Sequence, residues 1–184
     1  MGLRNRNNIS EEQFYFVTTT VRNFTNIFTT DKYCDVLINN IKHYQKRYRF
    51  LILGYVIMPS HFHWIVKTEP EQGTISDIMR DIKKYTAWDI LDLLREERPL
   101  QVKEFRKDVK KGQKHQLWIH RFDDQVIRNN KMFWTKLKYI HNNPVKAGIV
   151  KRAIDYKYSS ARNYILQDHS VIFVDTTWGG VEMI

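Results

Sequence analysis

The stretch FLILGYVIMPSHFHWIVKTE, residues 50–69, sets the first constraint on the fold. Its first part, which ends at Met58, is a continuous apolar run of the kind that forms a buried β-strand. Pro59 and Ser60 then predict a turn, and the residues from His61 onward predict a second strand. The sequence therefore predicts a β-hairpin.

Two histidines lie one residue apart in the second strand of this hairpin. Residues i and i+2 of a strand point to the same face, so His61 and His63 share a face, while Phe62 and Trp64 point to the opposite face and into the core. Two neutral imidazoles side by side supply two ligands of a three-ligand site for a divalent metal. The same pair is also what two surface histidines on a half-exposed strand would look like, so a metal site needs a third ligand.

The rest of the chain predicts an α+β fold. The β-branched and aromatic run FYFVTTTVRNF, residues 14–24, predicts a strand. The apolar spacing after Asp31 predicts a helix with Asp31 as its N-cap. The order β-α-β-β-α-β-α indicates a ferredoxin-like antiparallel sheet with helices packed on one face. The remaining predicted elements are a helix over 76–94, a short strand over 117–122 and a helix over 130–142 that Asn143 and Pro144 end.

One domain, residues 1–184, suits the length and the 42% hydrophobic content. Its predicted core spans about 14–164, interrupted by a basic insertion at about 98–116 that forms a mobile loop or a partly helical segment. The tail, 165–184, matches no predicted element. We expect a cytoplasmic protein without a membrane partner, because the N-terminus lacks an apolar signal core and no apolar stretch reaches spanning length.

The net charge of +10 is unevenly distributed along the chain. Between Lys131 and Arg152 there are six basic residues and no acidic residue. Concentrated basic surface favours a polyanionic partner, since binding releases counterions. A basic protein without such a partner would have the same composition, so charge alone leaves nucleic acid open.

A second group of candidate residues lies in KLKYIHNNPVKAGIV, residues 136–150. Tyr139 and Asn143 are four residues apart and share a helical face. Tyr139 falls outside the apolar stripe of the helix, so we expect it to be accessible. The amide oxygen of Asn143 is a hard ligand suited to Mg²⁺ or Mn²⁺. Taken singly, each residue also fits an ordinary role, as an amphipathic surface tyrosine or as a helix-terminating asparagine.

Together, these segments resemble a known family. YVIMPSHFHWIV (55–66) is similar to the histidine–hydrophobic–histidine segment of the single-tyrosine HUH transposases of small bacterial insertion sequences. YIHNNPVKAGIV (139–150) and DYKYSSARNY (155–164) resemble the subgroup of REP-associated tyrosine transposases. FYFVTTTVRN (14–23) and WIHRFDDQVIRN (118–129) lie where the family has its first strand and the segment before the tyrosine helix.

The resemblance implies a metal-dependent enzyme that cleaves and rejoins single-stranded, hairpin-bearing DNA. It assigns the nucleophile to Tyr139, which would form a 5′-phosphotyrosine link and leave a free 3′-hydroxyl. It assigns His61, His63 and Asn143 as ligands of Mg²⁺ or Mn²⁺. It implies the HUH fold and leaves a homodimer open, with the site completed in cis or by a partner chain. The basic residues that we predict to contact DNA are Arg22, Lys107, Lys110, Lys111, Lys114, Lys136, Lys138 and Lys146.

Three other interpretations are considered. One is an HUH nicking enzyme of the replication-initiator or relaxase type, although the tyrosine helix with its Asn-Pro-Val-Lys-Ala-Gly run favours the transposases. A second is a domesticated, non-catalytic binder of structured DNA or RNA, which would not need the His61, His63, Tyr139 and Asn143 set. A third is a structural zinc site, which is disfavoured because Cys34 is the single cysteine.

Overall fold

A computed structural model describes residues 14–106 and 115–177. Its sheet has four strands in the order β2-β3-β1-β4, and each neighbouring pair is antiparallel. This arrangement confirms the predicted α+β class and the ferredoxin-like sheet. The strands are β1 (Phe14–Thr20), β2 (Leu51–Met58), β3 (His61–Lys67) and β4 (Asp123–Val126). The α-helices are α1 (Asp31–Tyr48), α2 (Ile75–Glu97), α3 (Pro99–Val102), α4 (Asn130–Lys146) and α5 (Ala161–Leu166).

The β2–β3 hairpin forms as predicted. Met58 pairs with His61 across a turn made of Pro59 and Ser60. The other edge of β3 pairs with β1, where Thr18 lies opposite His63 and Thr20 lies opposite His61. The histidine strand is therefore held between two neighbours, which fixes its register and its two faces.

Helices cover both faces of the sheet, so the prediction that they lie on one face is wrong. Helices α1 and α2 form a core with one face, which includes Val17, Phe62 and Trp64. Helix α4 packs on the other face, over Phe16 and Val56. The reason is visible in β2, whose eight residues are all apolar and all but the first of them buried. A strand that is apolar on both sides needs cover on both sides.

The N-cap of the first helix differs from the prediction. Thr30, not Asp31, is the N-cap of α1, and its side chain makes no capping hydrogen bond. The Asp31 carboxylate instead accepts hydrogen bonds from Lys157 and from the Tyr158 hydroxyl, the latter at 2.6 Å. The Asp31 side chain therefore makes tertiary contacts with Lys157 and Tyr158 instead of the helix cap that the local sequence predicts.

The predicted strand over 117–122 is also wrong. The strand in this part of the chain is β4, at Asp123–Val126, and the preceding residues contribute an isolated bridge between Trp118 and Val21. Leu117 and Trp118 are buried in the core on the α1–α2 side of the sheet, where apolar side chains are favoured. Their apolar character reflects packing and does not mark a strand.

Helix α4 runs through Pro144 and ends at Lys146, so the predicted end at Asn142 is wrong. Proline lacks a backbone N–H, but it lies in the last turn, where only one intrahelical hydrogen bond is lost. The Ala147 N–H donates to the Asn143 carbonyl at 3.0 Å. Gly148, with φ of +69°, then takes the left-handed conformation that ends many helices.

The segment after α4 covers the outer edge of β2. The Ile57 N–H donates to the Tyr158 carbonyl and the Ser160 N–H to the Tyr55 carbonyl, each at 2.9 Å. The described part of the tail also joins this edge, since Asp175 N–H donates to the Ile52 carbonyl at 2.9 Å. An edge strand that would otherwise offer unpaired backbone groups is thereby satisfied.

The basic insertion is partly helical where it is described. Helix α3 leads into a 3₁₀ turn at Lys103–Phe105, and Phe105 is buried in the core. The remaining part of the insertion, with four of the predicted DNA contacts, lies outside the described residues. Among the described residues, no helix has the length and apolarity that crossing a membrane requires.

Gly54 sets how closely α4 approaches the sheet. A Cβ at this position would lie 2.6 Å from Leu137 Cδ1, and Leu137 is 3% exposed. Contacts this short force the neighbour to move, and in a tightly packed core such movement is costly. The absence of a side chain on β2 therefore lets the tyrosine helix lie directly against the strand.

We expect Gly54→Ala to lower the free energy of unfolding by about 1–3 kcal/mol because the added methyl group overpacks this contact. Chemical denaturation of the single and double variants with Leu137→Ala measures the coupling between the two positions. The double variant should lose less free energy of unfolding than the two single variants lose together, since the methyl group added by Gly54→Ala fills part of the cavity that Leu137→Ala leaves. Gly148→Ala is the matched control: it strains a positive φ but meets no atom within 4 Å. The loss of unfolding free energy in Gly148→Ala should add to the loss in Leu137→Ala. If the losses of Gly54→Ala and Leu137→Ala were also additive, the close approach of α4 at Gly54 would be contradicted.

Candidate active site

The paired histidines lie on the face of the sheet that α4 covers. Their ring centroids are 4.9 Å apart. His63 is only 4% exposed, and His61, at the start of β3, is half-buried. The prediction that both rings point to one face is correct, and His63 lies beneath a helix, not on an open surface.

Helix α4 brings the tyrosine to this pair within a single chain. The Tyr139 and His63 ring centroids are 5.2 Å apart, in an edge-on arrangement. Tyr139 is 42% exposed, as predicted from its position outside the apolar stripe. Phe16, on β1, stacks on His63 at 5.7 Å and meets Tyr139 edge-on at 6.0 Å. Phe16 thus contacts both of the other rings. The Tyr139 phenol lies next to a buried imidazole and is still accessible to a substrate.

Asn143 reaches the same site from one turn further along α4. Its side chain is near enough to His61 to raise the pKa of that imidazole. This contact requires α4 to remain helical past Asn142, so the helix end that the sequence failed to predict matters for the site. The structure therefore brings together the four residues His61, His63, Tyr139 and Asn143.

The hydrogen bonds of His63 leave one ring nitrogen available. Nδ1 shares a hydrogen bond of 2.8 Å with Thr18 Oγ1, across the β1–β3 ladder. Nε2 is buried and has no hydrogen-bond partner among the described residues. Leaving a buried polar atom unsatisfied costs on the order of 1–3 kcal/mol. Such an atom at the centre of a candidate site is suited to serve as a metal ligand.

Burial keeps both imidazoles in the neutral form. Burial, together with smaller effects of the nearby His61 and Lys136, lowers the pKa of His63 to about 3. Burial also lowers the pKa of His61, although the nearby Asn143 side chain partly offsets this. A neutral imidazole has a free lone pair, so the pair is in the protonation state that metal coordination requires.

The donor set fits a divalent cation. Two imidazole nitrogens and one amide oxygen would provide three neutral ligands and leave further positions for water or phosphate. The Thr18 hydroxyl and the Ser60 hydroxyl, 3.2 Å from His61 Nδ1, would orient the two rings from behind. Within residues 14–106 and 115–177 no group of three or more His, Cys, Asp or Glu side chains could hold a metal.

Two of the predicted DNA-contacting lysines flank the tyrosine. Lys136 Nζ lies 4.6 Å from the Phe16 ring centroid, and Lys146 Nζ lies 5.9 Å from that of Tyr139. Lys138 is exposed on α4 and makes no such ring contact. The Arg22 guanidinium donates to the Arg106 carbonyl at 2.7 Å. The four other predicted contacts, Lys107, Lys110, Lys111 and Lys114, lie outside the described residues.

Sequence reasoning missed Thr18, Phe16 and Ser60. Thr18 and Phe16 are two apart on β1, so they share a face, but only the register with β3 shows that this face carries the histidines. No local pattern encodes that register. Ser60 was interpreted as a turn residue, and its position next to His61 was the one available sign of a second role.

A half-buried histidine on the same helix serves the scaffold. His141 Nε2 shares a hydrogen bond of 2.8 Å with Ser160 Oγ, and that hydroxyl also accepts from the Tyr55 N–H at 2.9 Å. Burial lowers the pKa of His141 to about 4. This network ties α4 to β2 and to the segment that covers its edge, and so fixes the helix that carries Tyr139.

Comparison with known proteins finds a family and several relatives of this chain. Residues 11–143 match the family described as "Transposase IS200 like". A relative from Haemophilus influenzae, provisionally named a REP-associated tyrosine transposase, is 25% identical over 175 residues, which cover 95% of this chain and 92% of the relative. The REP-associated tyrosine transposase of Escherichia coli is 28% identical over 146 residues, covering 79% and 74%.

One solved structure supports the fold. It is described as the REP-associated tyrosine transposase bound to a REP hairpin, and it is similar to this chain with a TM-score of 0.68. The match covers 100% of this chain and 99% of the other, at 24% identity. The arrangement of sheet and helices is thus shared over the whole length, as the resemblance predicted.

Proposed function

Since the chain belongs to the IS200-like transposase family, we propose that it cleaves and rejoins single-stranded, hairpin-bearing DNA through a 5′-phosphotyrosine at Tyr139. The observation that carries the proposal is the approach of the Tyr139 ring to 5.2 Å from His63, whose buried Nε2 has no described partner. An accessible phenol beside a buried, neutral imidazole pair supports a nucleophile next to a metal site.

The DNA step is a balanced exchange of phosphate esters. The Tyr139 oxygen attacks the scissile phosphorus, a new O–P bond forms, and the bond from phosphorus to the 3′-oxygen breaks. The phenolic proton leaves to solvent, and the departing 3′-oxygen gains a proton. The tyrosine ester retains the energy of the broken bond, so a 3′-hydroxyl can reverse the step on the same or another strand.

The ligand residues act by position. A Mg²⁺ or Mn²⁺ ion held by His61, His63 and Asn143 would supply polarisation of the scissile phosphate and stabilisation of the leaving oxygen. The Thr18 hydroxyl holds His63 from the opposite side of its ring, and so directs Nε2 into the site. All of these residues come from one chain, which supports a site that works in cis.

The lysines supply positive charge where the phosphate would lie. Lys136 is half-buried beside Phe16, and its charge acts on His63 closely enough to lower the pKa of that imidazole. A cation at this depth is screened less than one on the surface, so it can stabilise charge that develops in the transition state.

Hairpin DNA is the partner that the basic surface and the relatives favour. The net charge of +10 suits a polyanion. A structural relative is described as bound to a REP hairpin. The nucleophile must reach a backbone phosphate in line, which a single-stranded segment next to a hairpin permits more easily than a duplex.

The first test is covalent capture of DNA. We expect purified protein with Mg²⁺ or Mn²⁺ to form a denaturation-resistant adduct with labelled hairpin DNA taken from the inverted repeats that flank its coding region. Tyr139→Phe should abolish the adduct, because the attacking oxygen is gone, and should leave hairpin affinity within about twofold. Gel electrophoresis after denaturation, with mass spectrometry of the linked peptide, provides the measurement.

The matched control is Tyr85→Phe, which removes a hydroxyl from α2 on the opposite face of the sheet. This variant should keep full adduct formation. An adduct that persists in Tyr139→Phe would assign the nucleophile elsewhere. A wild-type protein that binds the hairpin and never forms an adduct would favour the non-catalytic binder, while cleavage without rejoining would favour a nicking enzyme.

The second test concerns the metal. We expect His63→Ala to remove Mn²⁺ binding, because Nε2 is the buried and preformed ligand. Electron paramagnetic resonance titration of free Mn²⁺ measures binding without any reliance on activity. His43→Ala, which replaces an exposed histidine on α1, is the control and should bind as the wild type does. Equal Mn²⁺ affinity in both variants, or cleavage that persists in chelator, would overturn the ligand assignment.

The third test compares two lysines on one helix. We expect Lys136→Ala to lower the single-turnover cleavage rate by about 10- to 100-fold, because the lost cation lies beside the reacting phosphate. Lys138→Ala removes the same charge from the exposed side of α4 and should change that rate by no more than about twofold. The two variants should lose similar, small amounts of DNA affinity. Equal rate losses would show that Lys136 contributes only to the general positive field.

A further inference from the structure

A groove of about 620 Å³ lies between α2 and residues 115–122. It is on the opposite side of the sheet from α4, because α2 and Trp118 share the core with α1. One wall carries Lys83, Lys84 and Trp88, and the other carries Ile119 and His120. The mechanism proposed above uses none of these residues.

The two walls are joined by hydrogen bonds that form the groove in advance. Lys83 Nζ donates to the Ile119 carbonyl at 2.9 Å, and Trp118 Nε1 donates to the Lys83 carbonyl at 3.0 Å. Both bonds cross between α2 and the segment before β4. The groove is therefore a fixed feature of the fold, and binding does not first have to create it.

The accessible surface of the groove combines an aromatic face with an uncompensated cation. Trp88 is 53% exposed, and Lys84 Nζ lies 4.7 Å from its ring centroid. Two arginines also line the groove, but their charges are already engaged, Arg80 by Asp77 and Asp81 and Arg95 by Asp92. Lys84 has no ion pair among the described residues. An aromatic ring with a free cation beside it is the combination that binds an unpaired base and its phosphate.

The groove lies close to the candidate active site across the sheet. The Ile119 N–H donates to the Thr20 carbonyl at 2.8 Å, and Thr20 pairs with His61 on the next strand. The groove wall is thus two strand spacings from the histidine, roughly 10 Å. Ile119, His120 and Arg121 are exposed between the two places. A short single-stranded segment can pass from the active site over this edge and into the groove.

We propose that this groove binds an unpaired stretch of the DNA substrate, with one base stacked on Trp88 and the adjacent phosphate at Lys84. The inference rests on the proposed function, because it takes the ligand to be DNA. It adds a second binding site, away from the phosphotyrosine chemistry, that would hold the single strand beside the hairpin. Stacking and phosphate contact are indifferent to base identity, so this site would bind without strong sequence preference.

The test uses the full chain with Tyr139→Phe, so that no covalent adduct interferes. The probe is fluorescein-labelled oligothymidine of about 16 nucleotides, the upper end of common single-strand site sizes. We expect Trp88→Ala to weaken binding about tenfold in fluorescence anisotropy, and Trp88→Phe to recover most of the loss. A probe with 5-iododeoxyuridine should crosslink on irradiation to the peptide that contains Trp88.

The matched control is Phe173→Ala, which removes another exposed aromatic ring, outside the groove. It should bind the probe as its parent does. Unchanged oligothymidine affinity in Trp88→Ala, or crosslinks only elsewhere, would overturn the inference. So would a concentration-dependent dimer that Trp88→Ala abolishes in sedimentation, since the groove would then hold a second copy of the chain.

The test of the groove can fail or succeed independently of the test of the proposed function. Trp88→Ala with an intact Tyr139 should still form the adduct with hairpin DNA at saturating concentration. If the chain forms the adduct but Trp88→Ala leaves oligothymidine affinity unchanged, only the groove proposal is refuted. If the chain forms no adduct, the phosphotyrosine mechanism is refuted. Because Trp88 is exposed, the thermal unfolding midpoint of Trp88→Ala should match that of the parent protein. A matching midpoint would show that a loss of binding is not caused by unfolding.

Discussion

The contact between α4 and the sheet at Gly54 is the constraint on which the candidate site depends. Leu137 and Ile140 lie on the strand at a position where the strand has no side chain. The face of α4 that is anchored in this way is not the face that carries Tyr139, so the phenol can be held close to His63 without being buried. A larger residue on β2 would lift the helix and separate the two groups that the chemistry needs together.

The site divides its residues between burial and access in a way that suits phosphoryl transfer. His63 is buried and neutral, with one nitrogen held by Thr18 and the other directed into the site. Tyr139 stays 42% exposed at the opening. The apolar environment, in which Phe16 stacks on the ring, raises the cost of leaving that imidazole nitrogen unpaired. The proposed role as a metal ligand would account for this departure from the usual rule that buried polar atoms are paired.

The sequence predicted the parts of the site that depend on local periodicity. His61 and His63 share a face because strands repeat every two residues, and Tyr139 and Asn143 share one because helices repeat every 3.6. Their convergence came from resemblance, since no local pattern shows which strand α4 covers. Thr18 and the helices on both faces were missed because they depend on register and layering between distant segments. The short strand was misplaced because the buried apolar residues Leu117 and Trp118, before β4, imitate the pattern of a strand.

The end of α4 shows how the site and the fold support each other. A residue before proline is disfavoured in the helical conformation, so Asn143 and Pro144 ordinarily mark a stop. Here Asn143 stays helical, and its carbonyl accepts a hydrogen bond from the Ala147 N–H. Had the helix ended at Asn142, the amide would leave the face it shares with Tyr139. The last turn of the helix therefore keeps the third candidate ligand on the side where the two imidazoles lie, close enough for Asn143 to raise the pKa of His61.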